Sequence, residues 1–180
     1  MKKESVPVSS ANRLINGGPL ILVSSHDGQK PNAIAIAWHM PVSHKPMEVA
    51  VAVGKSNYSH DIISKTGEYI INIPTLDLLE KVVICGTSHG RDLDKLEKAG
   101  LTALPSSKLK CPLIGECVGH IECKVVDTIT SGDHSIFVGE VVAASANEGL
   151  FDKCWKMEKG LKFIHHLGGK VFSTSSGTVR

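Results

Sequence analysis

The sequence predicts a mainly β protein, built as an antiparallel barrel with helices at its connections. Short apolar runs of roughly 4–8 residues, rich in β-branched residues and bounded by turn-forming residues, are typical of buried strands. The first half of the chain contains four runs of this kind, at residues 20–23, 33–38, 49–53 and 69–73. Because helical segments do not alternate strictly with these runs, a doubly wound parallel sheet is disfavoured.

The second half of the chain predicts an antiparallel hairpin. Residues 119–125 alternate, with Ile121 and Cys123 on one side and His120 and Glu122 on the other. Such alternation predicts a strand with one buried and one exposed face. A turn is expected at residues 130–133, after which an apolar run returns at residues 136–142.

Three helices are predicted between the strands. The first begins after Ser56 or Asn57 and ends at Gly67, and the second begins after Thr75. The third spans about residues 92–99 and is followed by a glycine. Serine, asparagine and threonine can accept hydrogen bonds from the free N–H groups of a first turn, and glycine readily adopts the left-handed conformation that ends a helix.

Length and charge narrow the class of protein. The chain has 180 residues, 20 Lys plus Arg against 18 Asp plus Glu, a formal net charge of +2 and 4% aromatic residues. This length predicts one domain over residues 1–180, large enough to bury its own core. A nucleic-acid-binding barrel would have a basic surplus and aromatic stacking residues, so the composition weighs against that alternative.

Apolar residues and cysteines predict a cytoplasmic protein. No apolar run approaches the roughly 18–20 residues that cross a bilayer, and the N-terminus lacks the apolar stretch of a secretory signal. The five cysteines include no CxxC pair, so free thiols in a reducing compartment are expected. Cys111, Cys117 and Cys123 are expected to be small buried apolar side chains.

Residues compatible with a phosphate lie where the first helix begins. Residues 53–56 are similar to part of a Walker loop, but position 49, where that loop needs a glycine, is valine. A nucleotide triphosphatase is therefore excluded. Lys55, Ser56 and Ser59 would still suit a single phosphomonoester, because the N–H groups and dipole of a helix start favour an anion. Ordinary helix capping beside a surface lysine is the open alternative.

Other candidate chemistry is sparse. The histidines have no metal-binding spacing such as HExxH, and no GxSxG motif marks a nucleophilic serine. Nothing local marks Cys85 or Cys154 as a thiol of low pKa. Asp133-His134, in the predicted turn, would suit a histidine oriented toward a ligand by a carboxylate. The alternative is a turn-forming aspartate followed by a histidine at a strand edge.

A set of short motifs, in order along nearly the whole chain, resembles one known family. The motifs are Pro31-Asn32-Ala33, Trp38, Pro41-Val42-Ser43, Tyr58-Ser59, Gly67-Glu68-Tyr69, Asn72-Ile73-Pro74, Cys85–Ser88, Gly90–Asp92, Asp94-Lys95, Gly132–His134 and His166–Gly169. Their order and spacing are similar to those of the flavin reductase-like family of FMN-binding split barrels, particularly its flavoredoxin and ferric reductase branch.

The resemblance implies a six-stranded antiparallel Greek-key barrel that forms a homodimer and holds one FMN per subunit. It implies an oxidoreductase that transfers electrons from NADH or NADPH through FMN to free flavin, ferric iron or a redox protein. The flavin would carry the hydride chemistry, which explains the lack of an acid–base pair in the sequence. The alternative is an FMN-binding electron carrier that a partner protein reduces without direct use of nicotinamide.

The resemblance also implies which residues contact the cofactor. They are Asn32, Ala33, Ala35, Trp38, Ser43, Lys55, Ser56, Ser59, Cys85, Gly86 and Lys95. Among them, Lys55, Ser56 and Ser59 would hold the phosphate, and the segment 32–38 would follow the isoalloxazine ring. His134 would lie where the nicotinamide docks.

Overall fold

The computed structural model describes residues 7–15 and 18–175. The strands are β1 Ile21–His26, β2 Pro31–Ile36, β3 His39–His44, β4 Met47–Gly54, β5 Glu68–Ile73, β6 Ala103–Leu104, β7 Leu113–Ile114, β8 Gly119–Ser131, β9 His134–Ala146, β10 Phe151–Asp152, β11 Cys154–Trp155, β12 Ile164–Gly168 and β13 Val171–Thr174. The α-helices are α1 Tyr58–Thr66, α2 Leu79–Thr87 and α3 Lys95–Ala99. Short 3-10 helices span Val8–Leu14, Leu76–Leu78 and Met157–Lys159.

Seven strands form one antiparallel sheet, in the order β2-β1-β5-β8-β9-β4-β3. The two edge strands, β2 and β3, are separated only by residues 37 and 38. One continuous segment of the chain therefore forms both edges of the sheet. The two edges must lie side by side, and the sheet closes into a barrel. Beside this bend, the N–H of Ala52 on β4 donates to the carbonyl of Trp38 at 2.9 Å. The predicted fold class is confirmed. The sheet has seven strands rather than the predicted six. The count is six if β2 and β3, which follow each other across the bend, are treated as one strand.

Two apolar clusters stabilise the barrel. One fills its interior and includes Ile21, Val23 and Phe137. The other lies between the barrel and the helices, where Leu22 and Ala33 pack with Val82 of α2. Because both clusters draw on β1 and β2, α2 is held firmly against that part of the barrel.

The three predicted helices are present, with one correction. Helix α1 ends at Gly67, which has a φ of 69° as a left-handed cap requires. Helix α3 begins at Lys95 rather than near residue 92. The cause is the carboxylate of Asp94, which accepts hydrogen bonds from the N–H groups of Leu96 and Glu97 at 2.9 and 3.0 Å and so fixes the first turn.

The predicted hairpin of β8 and β9 is confirmed, but the expected exposed face of β8 is wrong at His120 and Glu122. His120 and Glu122 are only 8% and 4% exposed. A loop covers this face, and Glu122 accepts hydrogen bonds from the N–H groups of Ser107 and Lys108 at 2.9 and 2.8 Å. The alternation of residues along β8 could not predict this burial, because the covering loop belongs to a segment that precedes the hairpin in the chain.

The cysteines are all free thiols, and all but Cys154 are buried. The predicted burial of Cys111, Cys117 and Cys123 is therefore confirmed. Among the helices described here, none combines the length and apolar character needed to cross a bilayer.

Candidate functional site

A cleft of about 900 Å³ lies between the barrel and α2. One wall is the chain from Ile34 to Trp38, and the opposite wall is α2. At one end lie Gly54 and Asn57, just before α1. The volume falls within the roughly 300–1,000 Å³ that holds cofactors and other small ligands.

The C-terminal hairpin of β12 and β13 closes the other end of the cleft, through residues that include Lys170 and Phe172. This hairpin lies beside the start of α2, because the N–H of Leu76 donates to the carbonyl of Lys162 at 2.8 Å. The cleft therefore runs the length of α2, from the C-terminal hairpin to the start of α1.

Small residues line parts of both walls of the cleft. They are Ala35, Ala37, Ala52 and Gly86. A methyl group added at Gly86 would lie 3.3 Å from the Cβ of Ala35. The two walls therefore pack directly against each other at this point, and neither position has room for a larger residue. Elsewhere along these small residues, a ligand can approach the backbone closely.

The predicted phosphate residues all lie at the start of α1, but in different settings. Lys55 is exposed, and its ammonium group donates to the carbonyl of Gly132 at 2.7 Å. Ser56 is also exposed. Ser59 is 1% exposed and its Oγ accepts a hydrogen bond of 2.7 Å from Nδ2 of Asn32. Asn57 makes no side-chain cap to the helix.

Asn32 carries an unsatisfied polar atom next to this helix start. The residue is 2% exposed, and among the described residues its Oδ1 has no hydrogen-bond partner. A buried unpaired acceptor costs roughly 1–3 kcal/mol. Asn32 is not among the residues that line the cleft, and Gly90 packs against its Oδ1.

Cys85 and Lys95 lie behind the α2 wall rather than in the cleft. Cys85 is fully buried, and burial raises the pKa of its thiol to about 11. Lys95 is 5% exposed, and its Nζ donates to the carbonyl of Cys85 at 2.9 Å. Burial lowers the pKa of Lys95. A protonated thiol of this kind makes Cys85 a poor nucleophile.

Trp38 and His134 lie together in the cleft wall, where His134 pairs with Gly54 at the α1 end. Their ring centroids are 4.9 Å apart, both residues line the cleft, and Trp38 is 44% exposed. Nδ1 of His134 donates to Oδ1 of Asp133 at 2.7 Å. This hydrogen bond lowers the pKa of Asp133 and leaves Nε2 of the histidine as its second polar atom.

The structure thus brings part of the predicted set into the cleft wall, namely Ala35, Trp38, Gly86 and His134. Ala33 is buried in the apolar cluster beneath it, and Ser43 is half-buried on β3. Residues that sequence reasoning missed include Glu80, Thr87, Lys170 and Phe172. They come from α2 and the C-terminal hairpin, which tertiary packing brings to the cleft, and only the glycines of the His166–Gly169 motif pointed to that hairpin.

An antiparallel barrel with a cofactor-sized cleft beside a helix start defines a class of small-ligand-binding barrels. Within that class, the family model described as "Flavin reductase like domain" matches residues 14–164. The chain belongs to this family.

Similar proteins come from several organisms. A protein of Archaeoglobus fulgidus is 38% identical over 149 residues, which cover 82% of this chain and 83% of the relative. A ferric-chelate reductase (NAD(P)H) from the same organism is 30% identical over 131 residues, covering 72% and 76%. The crystal structure of flavoredoxin from Methanosarcina acetivorans has a TM-score of 0.86 and 25% identity, covering 100% of this chain and 95% of that one.

Proposed function

We propose that this protein is an FMN-dependent oxidoreductase that takes electrons from NADH or NADPH and passes them to free flavin, ferric iron or a redox protein. The observation that carries the proposal is the cleft, about 900 Å³ in volume, with small residues in both walls and a helix start at one end. Family membership and similarity to a ferric-chelate reductase that uses NAD(P)H support the choice of chemistry.

The residues at the start of α1 fit the phosphate of FMN. The helix dipole favours an anion there, and Lys55, Ser56 and the Asn57 amide supply donors. The ring would lie along residues 32–38, and Lys95 would place a positive charge behind the α2 wall, which favours a reduced, anionic ring. Oδ1 of Asn32 would accept a hydrogen bond from the ligand when Gly90, which packs against it, moves away.

Bound FMN would supply the hydride and electron transfer itself. The contribution of this chain is to bind, to orient and to exclude water. Trp38 and His134 line the cleft, where they would position a nicotinamide ring, and Asp133 keeps the proton on Nδ1 of His134. The rate would then depend on positioning rather than on a general acid or base.

A second copy of the chain is proposed to cover the strip of apolar side chains beside Trp38. Met40, Val42 and Met47 on the hairpin of β3 and β4 are 44–56% exposed. Apolar side chains exposed in a continuous strip usually mark an interface. The free buried thiols fit a reducing compartment, and we place the homodimer in the cytoplasm.

A spectroscopic titration tests the proposed function. Purified protein mixed with FMN should retain a yellow chromophore through gel filtration, and anaerobic NADH or NADPH should bleach it. Protein that retains no FMN would overturn the proposal.

The similarity to flavoredoxin favours one second candidate, an FMN-binding electron carrier reduced by a partner protein. A carrier would stay yellow with either nicotinamide and would bleach only when a reduced redox protein is added.

A further inference from the structure

A network of side chains ties the loop that follows α2 to α1, next to the α1 end of the cleft. The loop of residues 88–91 directly continues α2, and Gly86 and Thr87 at the end of α2 line the cleft. Tyr58 and Asp61 belong to α1, which starts next to the cleft residue Asn57. A contact between this loop and α1 therefore lies just outside the residues that line this end of the cleft.

Arg91 makes that contact. Its guanidinium group forms an ion pair with Asp61, and its Cζ lies 5.2 Å from the centroid of the Tyr58 ring. The hydroxyl of Tyr58 donates in turn to Oδ2 of Asp27 at 2.5 Å. From the turn between β1 and β2, Nζ of Lys30 donates to the carbonyl of Arg91 at 3.5 Å. One loop is thus tied to α1 and to the barrel.

Gly90 lies directly above the buried Asn32 side chain. A Cβ at this position would lie 2.2 Å from Oδ1 of Asn32 and 3.2 Å from Cδ1 of Tyr58. The loop therefore approaches so closely that no side chain fits at residue 90, and it covers the Asn32–Ser59 hydrogen bond at the start of α1.

We propose that Arg91 is a positioning residue: it latches the loop of residues 88–91 over the α1 end of the cleft, and the opening of this latch sets the rate at which FMN enters and leaves. The inference rests on the proposed function, since it takes FMN as the ligand. The side chains of Arg91 and Asp61 are 55% and 47% exposed. Exposed ion pairs and cation–π contacts are individually weak, so this latch opens readily without unfolding the barrel.

The alternative explanation is that Arg91 contacts the phosphate of FMN directly. The Asp61→Asn variant distinguishes this explanation from the latch. If Arg91 bound the phosphate, Asp61→Asn would release the guanidinium group and slow FMN dissociation. If Arg91 is a latch, Asp61→Asn and Arg91→Ala act in the same direction. Both substitutions then speed association as well as dissociation, because a closed loop blocks both.

The experiment measures FMN association by stopped-flow quenching of flavin fluorescence, and dissociation by its recovery on dilution. Arg91→Ala and Asp61→Asn should each raise both rates about three- to tenfold. Lys124→Ala, on an exposed part of β8, should leave both rates unchanged. Unchanged rates in the Arg91 variant, or opposite effects of the two substitutions, would overturn the latch.

Amide hydrogen exchange tests the latch independently of the proposed FMN-dependent function. In the free protein, Arg91→Ala should accelerate amide exchange of residues 88–91, and Gly90→Ala should do the same by displacing the loop from Asn32. Protection unchanged in both variants would overturn the latch. A wild-type protein that binds no FMN would instead overturn the proposed function, and the exchange measurement would still decide the latch.

Discussion

Nδ2 of Asn32 on β2 donates a hydrogen bond of 2.7 Å to Oγ of Ser59 in the first turn of α1. Both residues are almost fully buried, so this bond joins the barrel to the helix out of contact with water. The same asparagine has an unpaired Oδ1 among the described residues. The pair therefore connects the stability of the barrel with the proposed cofactor site.

Ser59→Ala should destabilise the protein. The substitution removes the acceptor of the buried Asn32 amide, and leaving such a group unpaired costs about 1–3 kcal/mol in the free energy of unfolding. Urea denaturation of the FMN-free protein measures this cost. Ser56→Ala, three residues earlier and exposed, is the matched control and should change stability little. Equal stability of the Ser59 variant and wild type would contradict the assigned role of the bond.

Ser56→Glu should abolish FMN retention while leaving the fold intact. A carboxylate at the start of α1 would repel a phosphate there, although it suits the helix dipole itself. Fluorescence titration with FMN measures the loss, and circular dichroism checks the fold. Ser64→Glu, exposed in the last turn of α1, adds the same charge away from the helix start and should retain FMN. If the Ser56 variant binds FMN normally, the phosphate lies elsewhere.

The sequence predicted the barrel well because its strands are apolar runs bounded by turn residues, as in β4 and β5. Strand β3 was missed, since its histidines and proline hide the strand pattern. The site was harder to predict. Asn32 and Ser59 are 27 positions apart in the chain, and only folding reveals their bond. The C-terminal hairpin reaches the cleft through long-range packing, for which periodicity offers no signal.

His134→Ala should slow the reduction of bound FMN by nicotinamide more than it weakens FMN binding. The ring lies beside Trp38 in the cleft wall, where it would contact the nicotinamide. Anaerobic stopped-flow bleaching gives the reduction rate, and fluorescence titration gives the affinity. His44→Ala, on the exposed end of β3, serves as the control. If both the reduction rate and the FMN affinity are unchanged, His134 has no role at the nicotinamide and serves only in the turn.

Glu122→Gln should weaken the fold and flatten its acid dependence. Burial raises the pKa of Glu122, but hydrogen bonds from Ser107 and Lys108 outweigh burial, and the net pKa lies below its ordinary 4.5. Because the folded pKa is the lower one, the carboxylate stabilises the fold above pH 4.5, and this stability is lost as the pH falls through the folded pKa.

Urea denaturation between pH 3 and pH 7 tests this expectation. At neutral pH the Glu122→Gln variant should lose about 1–2 kcal/mol relative to wild type, and the difference should shrink on acidification. Glu148→Gln, in an exposed turn, should follow the wild-type curve. A difference that stays constant with pH would assign the effect of Glu122 to packing instead.

The bend at residues 37 and 38 couples three properties of the molecule. Before this bend, β2 forms part of the cleft wall. After it, β3 begins the apolar hairpin proposed to meet a second subunit. The bend also carries the chain from one edge of the sheet to the other. An insertion in this bend would shift both edges out of register at once. Enlarging the binding space of this scaffold by lengthening that bend would therefore open the barrel, whereas the turn at residues 169–170, which joins only two short strands, leaves room for added residues.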